Sequence, residues 1–211
     1  MVFTFEKAAQ EIIAAGNRLD KLGLAPATSG NYSMRLNDGT IALTVSGAHK
    51  GMLTPADIMR VDLNGNPLED KKPSAETLLH TGLYKRYPET NAILHAHSIP
   101  CVVLTRSRPE QKEITLEGYE MLKAFPGVET HETSINVPIF DNTQDIARLS
   151  EDVDQILAQK KNAALYLIRA HGFYSWGKDM KEVLRITEAA EVLLACEMNS
   201  TRYQPMLEKA S

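Results

Sequence analysis

Apolar residues recur along the chain at two spacings, which distinguish helices from strands. Repeats of three and four residues predict amphipathic helices with one buried face over residues 5–22, 74–87, 145–160 and from about 178 onward. Short apolar or alternating runs predict strands at 32–36, 40–46, 60–63, 92–97, 133–140 and 163–169. Briefer helical segments are predicted at 99–106 and 117–124.

Turn-forming residues separate these segments. Asn37-Asp38-Gly39 predicts a hairpin between the first two strands, and Ser74 is the predicted N-cap of the second helix. Strands and helices alternate without an internal repeat or a long linker. The pattern therefore predicts an α/β (α+β-like) fold, with a central mixed or antiparallel sheet flanked by helices. At 211 residues, we expect one domain over 1–211.

The composition limits the classes of partner and the cellular location that we expect. The net charge of −4 gives no reason to expect affinity for nucleic acid or for an anionic membrane. No apolar run approaches the roughly 20 residues that span a bilayer, and the N-terminus lacks a secretory apolar region. With two cysteines there is no disulfide framework, so we expect a cytoplasmic protein.

Three histidines are the strongest chemical feature. His95 and His97 lie two apart on a predicted strand, so both side chains point to one face, with Cα atoms roughly 6.5 Å apart. His171 follows another apolar run and precedes a glycine. Three histidine ligands leave one coordination position open, which is typical of a catalytic zinc site. The alternative is that each histidine is an ordinary surface or core residue.

Small residues in three loops indicate a phosphate site. Hydroxyls and free backbone N–H groups can surround a phosphate, and glycine permits a close backbone approach. The candidates are Ser29, Gly30, Asn31, Ser46, Gly47 and Ser74. Taken alone, Ser-Gly and Ser-Gly-Asn are explained more often by ordinary turn chemistry than by phosphate binding.

Two glutamates are candidates for proton transfer. Glu76 lies in the first turn of the helix predicted from Ser74, where interaction with the helix dipole is the simpler interpretation. Glu120 is expected to share a helical face with Glu117, and the simpler interpretation there is a solvated surface. A carboxylate beside a divalent cation and a substrate would instead shuttle protons.

These motifs together resemble those of the class II aldolase/adducin family, over nearly the whole chain. They occur in the family's order: Ser29-Gly30-Asn31, Val45-Ser46-Gly47, Pro73-Ser74-Ala75-Glu76, His95-Ala96-His97 and His171-Gly172. The resemblance implies a three-layer fold and one zinc ion per chain, bound by His95, His97 and His171. It also implies a homotetramer with active sites at subunit boundaries.

Segments 46–55, 73–81 and 114–123 resemble a dehydratase branch of this family. That resemblance implies a small phosphorylated ketose as substrate, loss of water from it, and an acid/base role for Glu120. In the aldolase branch, the residue that matches Glu76 works beside the metal. The alternatives are a zinc-dependent sugar-phosphate aldolase or 4-epimerase, and a non-catalytic adducin-like assembly module.

Overall fold

One mixed sheet organises residues 3–160 and 162–207, the part of the chain described by the structure, a computed structural model. The strands are β1 (Asn31–Arg35), β2 (Ile41–Thr44), β3 (Ile58–Val61), β4 (Ala92–Ala96), β5 (Glu113–Glu117), β6 (Ser134–Phe140), β7 (Leu165–Ile168) and β8 (Gly172–Gly177). The helices are α1 (Phe5–Lys21), α2 (Thr77–Arg86), α3 (Ile99–Ser107), α4 (Ile146–Leu157) and α5 (Met180–Leu207).

The strands lie in the order β3-β2-β1-β4-β8-β7-β6-β5. Neighbouring strands run antiparallel except β6 and β7, which are parallel and are joined through α4. A parallel pair needs such a crossover, whereas antiparallel pairs do not. The predicted mixed sheet with flanking helices is therefore confirmed.

Two hydrophobic cores cover the two faces of the sheet. Helices α1, α3 and α5 pack on one face, where Leu94 of β4 is buried. Helices α2 and α4 pack on the other, where Ile93 is buried. Because side chains alternate along a strand, His95 lies on the same face as Ile93. The first metal-ligand candidate therefore faces the layer that contains α2.

Two strands were not predicted. Residues 113–117 form the edge strand β5, in which the buried Ile114 and Leu116 alternate with exposed residues over a stretch of five. The prediction that Glu117 and Glu120 share a helical face is therefore wrong, because Glu117 ends β5 and Glu120 begins a separate 3₁₀ turn, Glu120–Ala124. Strand β8 follows β7 after a tight turn at residues 169–171.

Two boundaries differ from the predicted ones near the candidate site. Helix α2 begins at Thr77 with Glu76 as its N-cap, so the prediction that Ser74 is the N-cap is wrong. Ser74 instead starts the preceding turn, in which its Oγ accepts from the Glu76 N–H at 3.3 Å. Its carbonyl accepts from the Thr77 hydroxyl at 2.6 Å. Strand β3 begins at Ile58, two residues earlier than predicted.

Candidate metal centre

Neighbouring strands bring the three histidines together. His95 lies near the end of β4, His97 follows that strand, and His171 lies in the turn between β7 and β8. Strands β4 and β8 are paired in the sheet, which carries the β7–β8 turn to the end of β4. At Gly172 an added Cβ would lie 2.2 Å from the carbonyl oxygen of Ala96, so this approach requires a glycine.

The imidazoles form a compact triangle. Their ring centroids are 4.7–4.9 Å apart, and one ring nitrogen from each histidine lies within 4.8 Å of the other two. The Nε2 atoms of His95 and His171 are 3.4 Å apart. Zinc–nitrogen bonds of about 2.0–2.1 Å in a tetrahedral arrangement separate the nitrogens by about 3.3–3.4 Å. The spacing of this pair therefore matches two ligands of one zinc ion.

Hydrogen bonding sets the tautomer of His95, and burial keeps its ring in the neutral form that can bind a metal. Its Nδ1 lies 3.0 Å from the carbonyl oxygen of Phe173, which only accepts, so Nδ1 carries the proton and Nε2 presents a lone pair to the cluster. Burial lowers the pKa of His95 to about 4 and that of His97 to about 3. Both rings are consequently neutral at neutral pH, which is the form that binds metal.

Glu76 brings a carboxylate to the same cluster. Its Oε2 lies 3.4 Å from Nε2 of His95, and its Oε1 lies 3.6 Å from Nε2 of His171. Oε2 also accepts hydrogen bonds from Asn31 Nδ2 at 2.7 Å and from the Tyr174 hydroxyl at 3.0 Å. Burial alone would raise the pKa of Glu76, but attraction to His95 and donation from Asn31 outweigh it and lower the pKa to about 2. The group is therefore an ionised carboxylate.

Three imidazoles beside one carboxylate fit a divalent metal. Nitrogen and oxygen donors of this kind suit zinc, and a three-histidine set leaves a coordination position for water or substrate. His171 Nδ1 is buried and has no hydrogen-bond partner within the described residues, so its ring is held by packing and by the cluster itself. His95, His97 and His171 are the residues that would hold the ion.

The three predicted phosphate loops converge next to this cluster. Lys50 Nζ donates to the carbonyl of Thr28 at 2.9 Å and to that of Ala48 at 2.6 Å, which joins the first loop to the second. Val45 pairs with Pro73 in an isolated bridge, which joins the second loop to the third. Gly30 has a φ of +78°, and its added Cβ would lie 2.7 Å from the carbonyl oxygen of His95. The first loop therefore touches the strand that carries His95.

Two predicted phosphate residues have distinctive environments. Ser29 Oγ is buried and has no hydrogen-bond partner among the described residues, which leaves its hydrogen-bonding capacity unused. The side chain of Asn31 is 5% exposed and lies between Glu76 and His80. The amide of Asn31 is thus already engaged in the carboxylate's environment.

Glu120 lies outside this constellation within the single chain. Its side chain is 71% exposed and pairs with Lys123 at 2.6 Å and with His131 at 3.5 Å. Within residues 3–160 and 162–200, Glu120 forms no ion pair with His95, His97 or His171.

Sequence reasoning missed three residues around the metal centre. The first is Tyr174, whose hydroxyl donates to Glu76 at 3.0 Å. The others are Lys50, which donates to the carbonyl of Thr28, and His80, which bonds to Asn31. The spacing of four residues from Glu76 to His80 is the signal that was available, since it puts both on one helical face.

Comparison with known proteins agrees with this architecture. The pattern of the Class II Aldolase and Adducin N-terminal domain matches residues 10–198. YgbL of Klebsiella pneumoniae has a similar fold, with a TM-score of 0.80 at 23% identity over 94% of this chain and 91% of that one. The L-fuculose-1-phosphate aldolase of Thermus thermophilus has a TM-score of 0.70 at 24% identity over 96% of both chains. None of the helices in the described part of the chain is long and apolar enough to cross a membrane.

Closer relatives exist in sequence. The methylthioribulose-1-phosphate dehydratase of Methylococcus capsulatus is 52% identical over 193 residues, which cover 92% of this chain and 94% of the relative. The protein of the same name from Marinobacter nauticus is 48% identical over 202 residues, covering 95% and 97%. Because the family pattern and these relatives span nearly the entire sequence, the chain belongs to the class II aldolase and adducin family.

Proposed function

We propose that the protein is a zinc-dependent hydro-lyase of methionine salvage. It converts 5-methylthioribulose 1-phosphate to 2,3-diketo-5-methylthiopentyl 1-phosphate and water. The observation that carries this proposal is identity of about half over more than nine-tenths of the chain to relatives named for this reaction. The three-histidine cluster beside Glu76 supplies the metal chemistry that the reaction needs.

The metal would be held by His95, His97 and His171, with one zinc ion per chain. When bound, zinc supplies a Lewis acid that polarises the substrate's C2 carbonyl and makes the C3 proton more acidic. Buried, neutral imidazoles support this assignment, because no proton has to leave His95 or His97 when the ion binds at neutral pH.

The substrate's phosphate would be bound by the three converging loops. The residues proposed for it are Ser29, Gly30, Asn31, Ser46, Gly47 and Ser74. The unpartnered hydroxyl of Ser29 supports this, as does the Lys50 ammonium that ties two of the loops together. Since the Asn31 amide also donates to Glu76, its replacement should disturb the carboxylate as well as phosphate binding.

Proton transfer requires a carboxylate at C3 and C4. The base takes the C3 proton and returns it to the C4 hydroxyl, which leaves as water, and the resulting enol becomes the diketone. We propose Glu120 for this acid/base role from its resemblance to the dehydratase branch. We propose that Glu76 holds its negative charge beside the metal, a role supported by its contacts with His95 and His171.

We also propose a cytoplasmic homotetramer with its active sites at subunit boundaries. Exposed apolar side chains support association: Met52 is 75% exposed and Ile99, which begins α3 two residues after His97, is 74% exposed. Glu120 is exposed and borders a groove of about 930 Å³ lined by Met121, so a neighbouring chain can reach this surface. Light scattering at working concentration tests the assembly, and a fully active monomer would refute shared sites.

Product analysis tests the reaction itself. Purified zinc-loaded protein is incubated with 5-methylthioribulose 1-phosphate, and the expected product is the diketone phosphate. An aldolase would instead cut the C3–C4 bond to give dihydroxyacetone phosphate and an aldehyde, and a 4-epimerase would return an isomer of unchanged mass. The contact between Glu76 and the histidines favours the aldolase as the second candidate. Either alternative product would refute the dehydratase.

A further inference from the structure

A ladder of polar side chains joins helix α2 to strand β1 beneath the metal centre. His80 and Tyr84 lie four residues apart on one face of the helix, and Glu76, the N-cap, precedes His80 by the same spacing. Asn31 and Ser33 are two apart on the strand and face the helix together. The two spacings match closely enough for every neighbouring pair to bond.

The contacts run without interruption from the sheet to the carboxylate. Tyr84 Oη lies 2.9 Å from Ser33 Oγ, and Ser33 Oγ lies 2.7 Å from His80 Nδ1. His80 Nε2 bonds to Asn31 Oδ1, and Asn31 Nδ2 donates to Glu76 at 2.7 Å. Ser33 and His80 are fully buried, and Asn31 is 5% exposed, so solvent does not substitute for any of these partners.

The acceptor at the end of the ladder fixes the direction of every bond. An ionised carboxylate only accepts, so Asn31 turns its nitrogen to Glu76 and its oxygen to His80. The Tyr174 hydroxyl also lies 3.4 Å from that oxygen, but its single proton is directed to Glu76 at 3.0 Å. The His80 ring therefore supplies the donor, and its proton is on Nε2. His80 Nδ1 then accepts from the Ser33 hydroxyl, and Ser33 Oγ accepts from Tyr84.

We propose that His80 is a positioning residue of the metal centre. Its Nε2–H holds the Asn31 amide in the one orientation that donates to Glu76, and this donation holds the Glu76 carboxylate against His95 and His171. Without His80 the amide can rotate, which turns its oxygen toward the carboxylate and repels it. The inference rests on the proposed role of Glu76 beside the metal.

A double-mutant cycle tests whether His80 acts through Asn31. His80→Phe keeps a planar ring without a donor, and we expect kcat to fall by about 10–100-fold with KM nearly unchanged. In an Asn31→Ala background the same change should alter kcat by no more than about twofold. His80→Gln retains an N–H donor and should recover part of the lost kcat. An equal loss in both backgrounds would overturn the proposal.

The matched control is Thr81→Val on the next position of the same helix. Thr81 is 2% exposed, and among the described residues its hydroxyl bonds only to the carbonyl of Leu78 in its own helix. The substitution therefore alters a buried side chain of α2 without removing a bond to Asn31. We expect its kcat to match that of the wild type. If Thr81→Val loses as much kcat as His80→Phe, the effect is general packing and the positioning role is refuted.

A spectroscopic measurement separates this inference from the proposed reaction. In wild-type protein with ¹⁵N-labelled histidine, the imidazole spectrum should show the proton of His80 on Nε2 and none on Nδ1. A proton on Nδ1 would overturn the ladder even in an active dehydratase. The expected tautomer in a protein that does not turn over methylthioribulose 1-phosphate would leave the ladder intact and refute only the proposed function.

Discussion

Gly172→Ala tests whether the spacing of strands β4 and β8 sets the metal geometry. An alanine Cβ there would lie 2.2 Å from the carbonyl oxygen of Ala96 and 3.2 Å from the Cα of His97. Close carbon–oxygen contacts in proteins are about 3.3 Å or longer, so the two segments must separate by roughly 1 Å. Gly172 is not among the glycines with a positive φ, so the effect is steric.

A displacement of that size falls directly on the proposed metal ligands. His171 precedes the substituted residue and His97 follows Ala96, so the shift moves the third histidine away from the pair on β4. Misplacing reacting groups by about 1 Å can cost on the order of 100-fold in rate. We therefore expect kcat to fall by about 100-fold and zinc affinity to fall by about 10–100-fold.

The assay measures zinc per folded chain and turnover, well below the melting temperature, since overpacking of this kind costs about 1–3 kcal/mol of stability. Gly177→Ala, at the far end of the same strand, is the control. Its Cβ would lie 3.1 Å from the flexible side chain of Glu182 and 3.1 Å from the backbone nitrogen of Val183, and no metal ligand is near. If Gly172→Ala holds a full equivalent of zinc and turns over normally, the steric reasoning is wrong.

Four further predictions concern individual groups. His97→Ala should stay folded but lose most of its zinc and nearly all activity, and a fully metallated, active variant would remove His97 from the site. Glu120→Gln should keep its zinc and lose about 10²–10⁴-fold in turnover. If Glu120→Gln turns over normally and Glu76→Gln is inactive, the acid/base role belongs to Glu76. Ser74→Ala should raise KM for the phosphorylated substrate more than it lowers kcat, and an unchanged KM would exclude Ser74 from the phosphate site. Burial lowers the pKa of His80 to about 3 and that of His95 to about 4, both from 6.5. As the pH falls below 6.5, the unfolded metal-free chain therefore binds protons at these residues that the folded chain does not. The free energy of unfolding should then decrease by up to about 1.4 kcal/mol per pH unit for each histidine, and denaturation at about pH 7, 6 and 5 measures this.

Local sequence rules anticipated much of the fold. The helical repeat of Ala8, Ile12 and Leu19 predicted α1, and Asn37-Asp38-Gly39 predicted the first hairpin, because these signals act over a few residues. Strand β5 was not predicted, because its pattern spans five residues and buries two side chains. The expectation of one domain over 1–211 stays a prediction, and a single cooperative unfolding transition would support it.

The sequence predicted the local features of the candidate site but not its contacts between distant segments. The spacing of His95 and His97 is local, so one strand's alternation sufficed to put both on one face. The contacts of Glu76 with Asn31 and Tyr174 join residues 45 and 98 positions apart, and spacing along the chain carries no information about them. The reach of Lys50 to the Thr28 carbonyl is likewise visible only after the loops have folded.

The attachment of the histidines to a hydrogen-bonded sheet has a consequence for metal exchange. In a small zinc finger, the ion must supply the free energy that folds the chain, so a chelator denatures the protein. Here the ends of β4 and β8 are held by backbone pairing and by two hydrophobic cores. A chelated chain should keep its far-ultraviolet circular dichroism spectrum and take up cobalt as readily as zinc. Which ion the proposed site holds would then depend on the metals that the cell supplies, because the sheet positions the histidines without one.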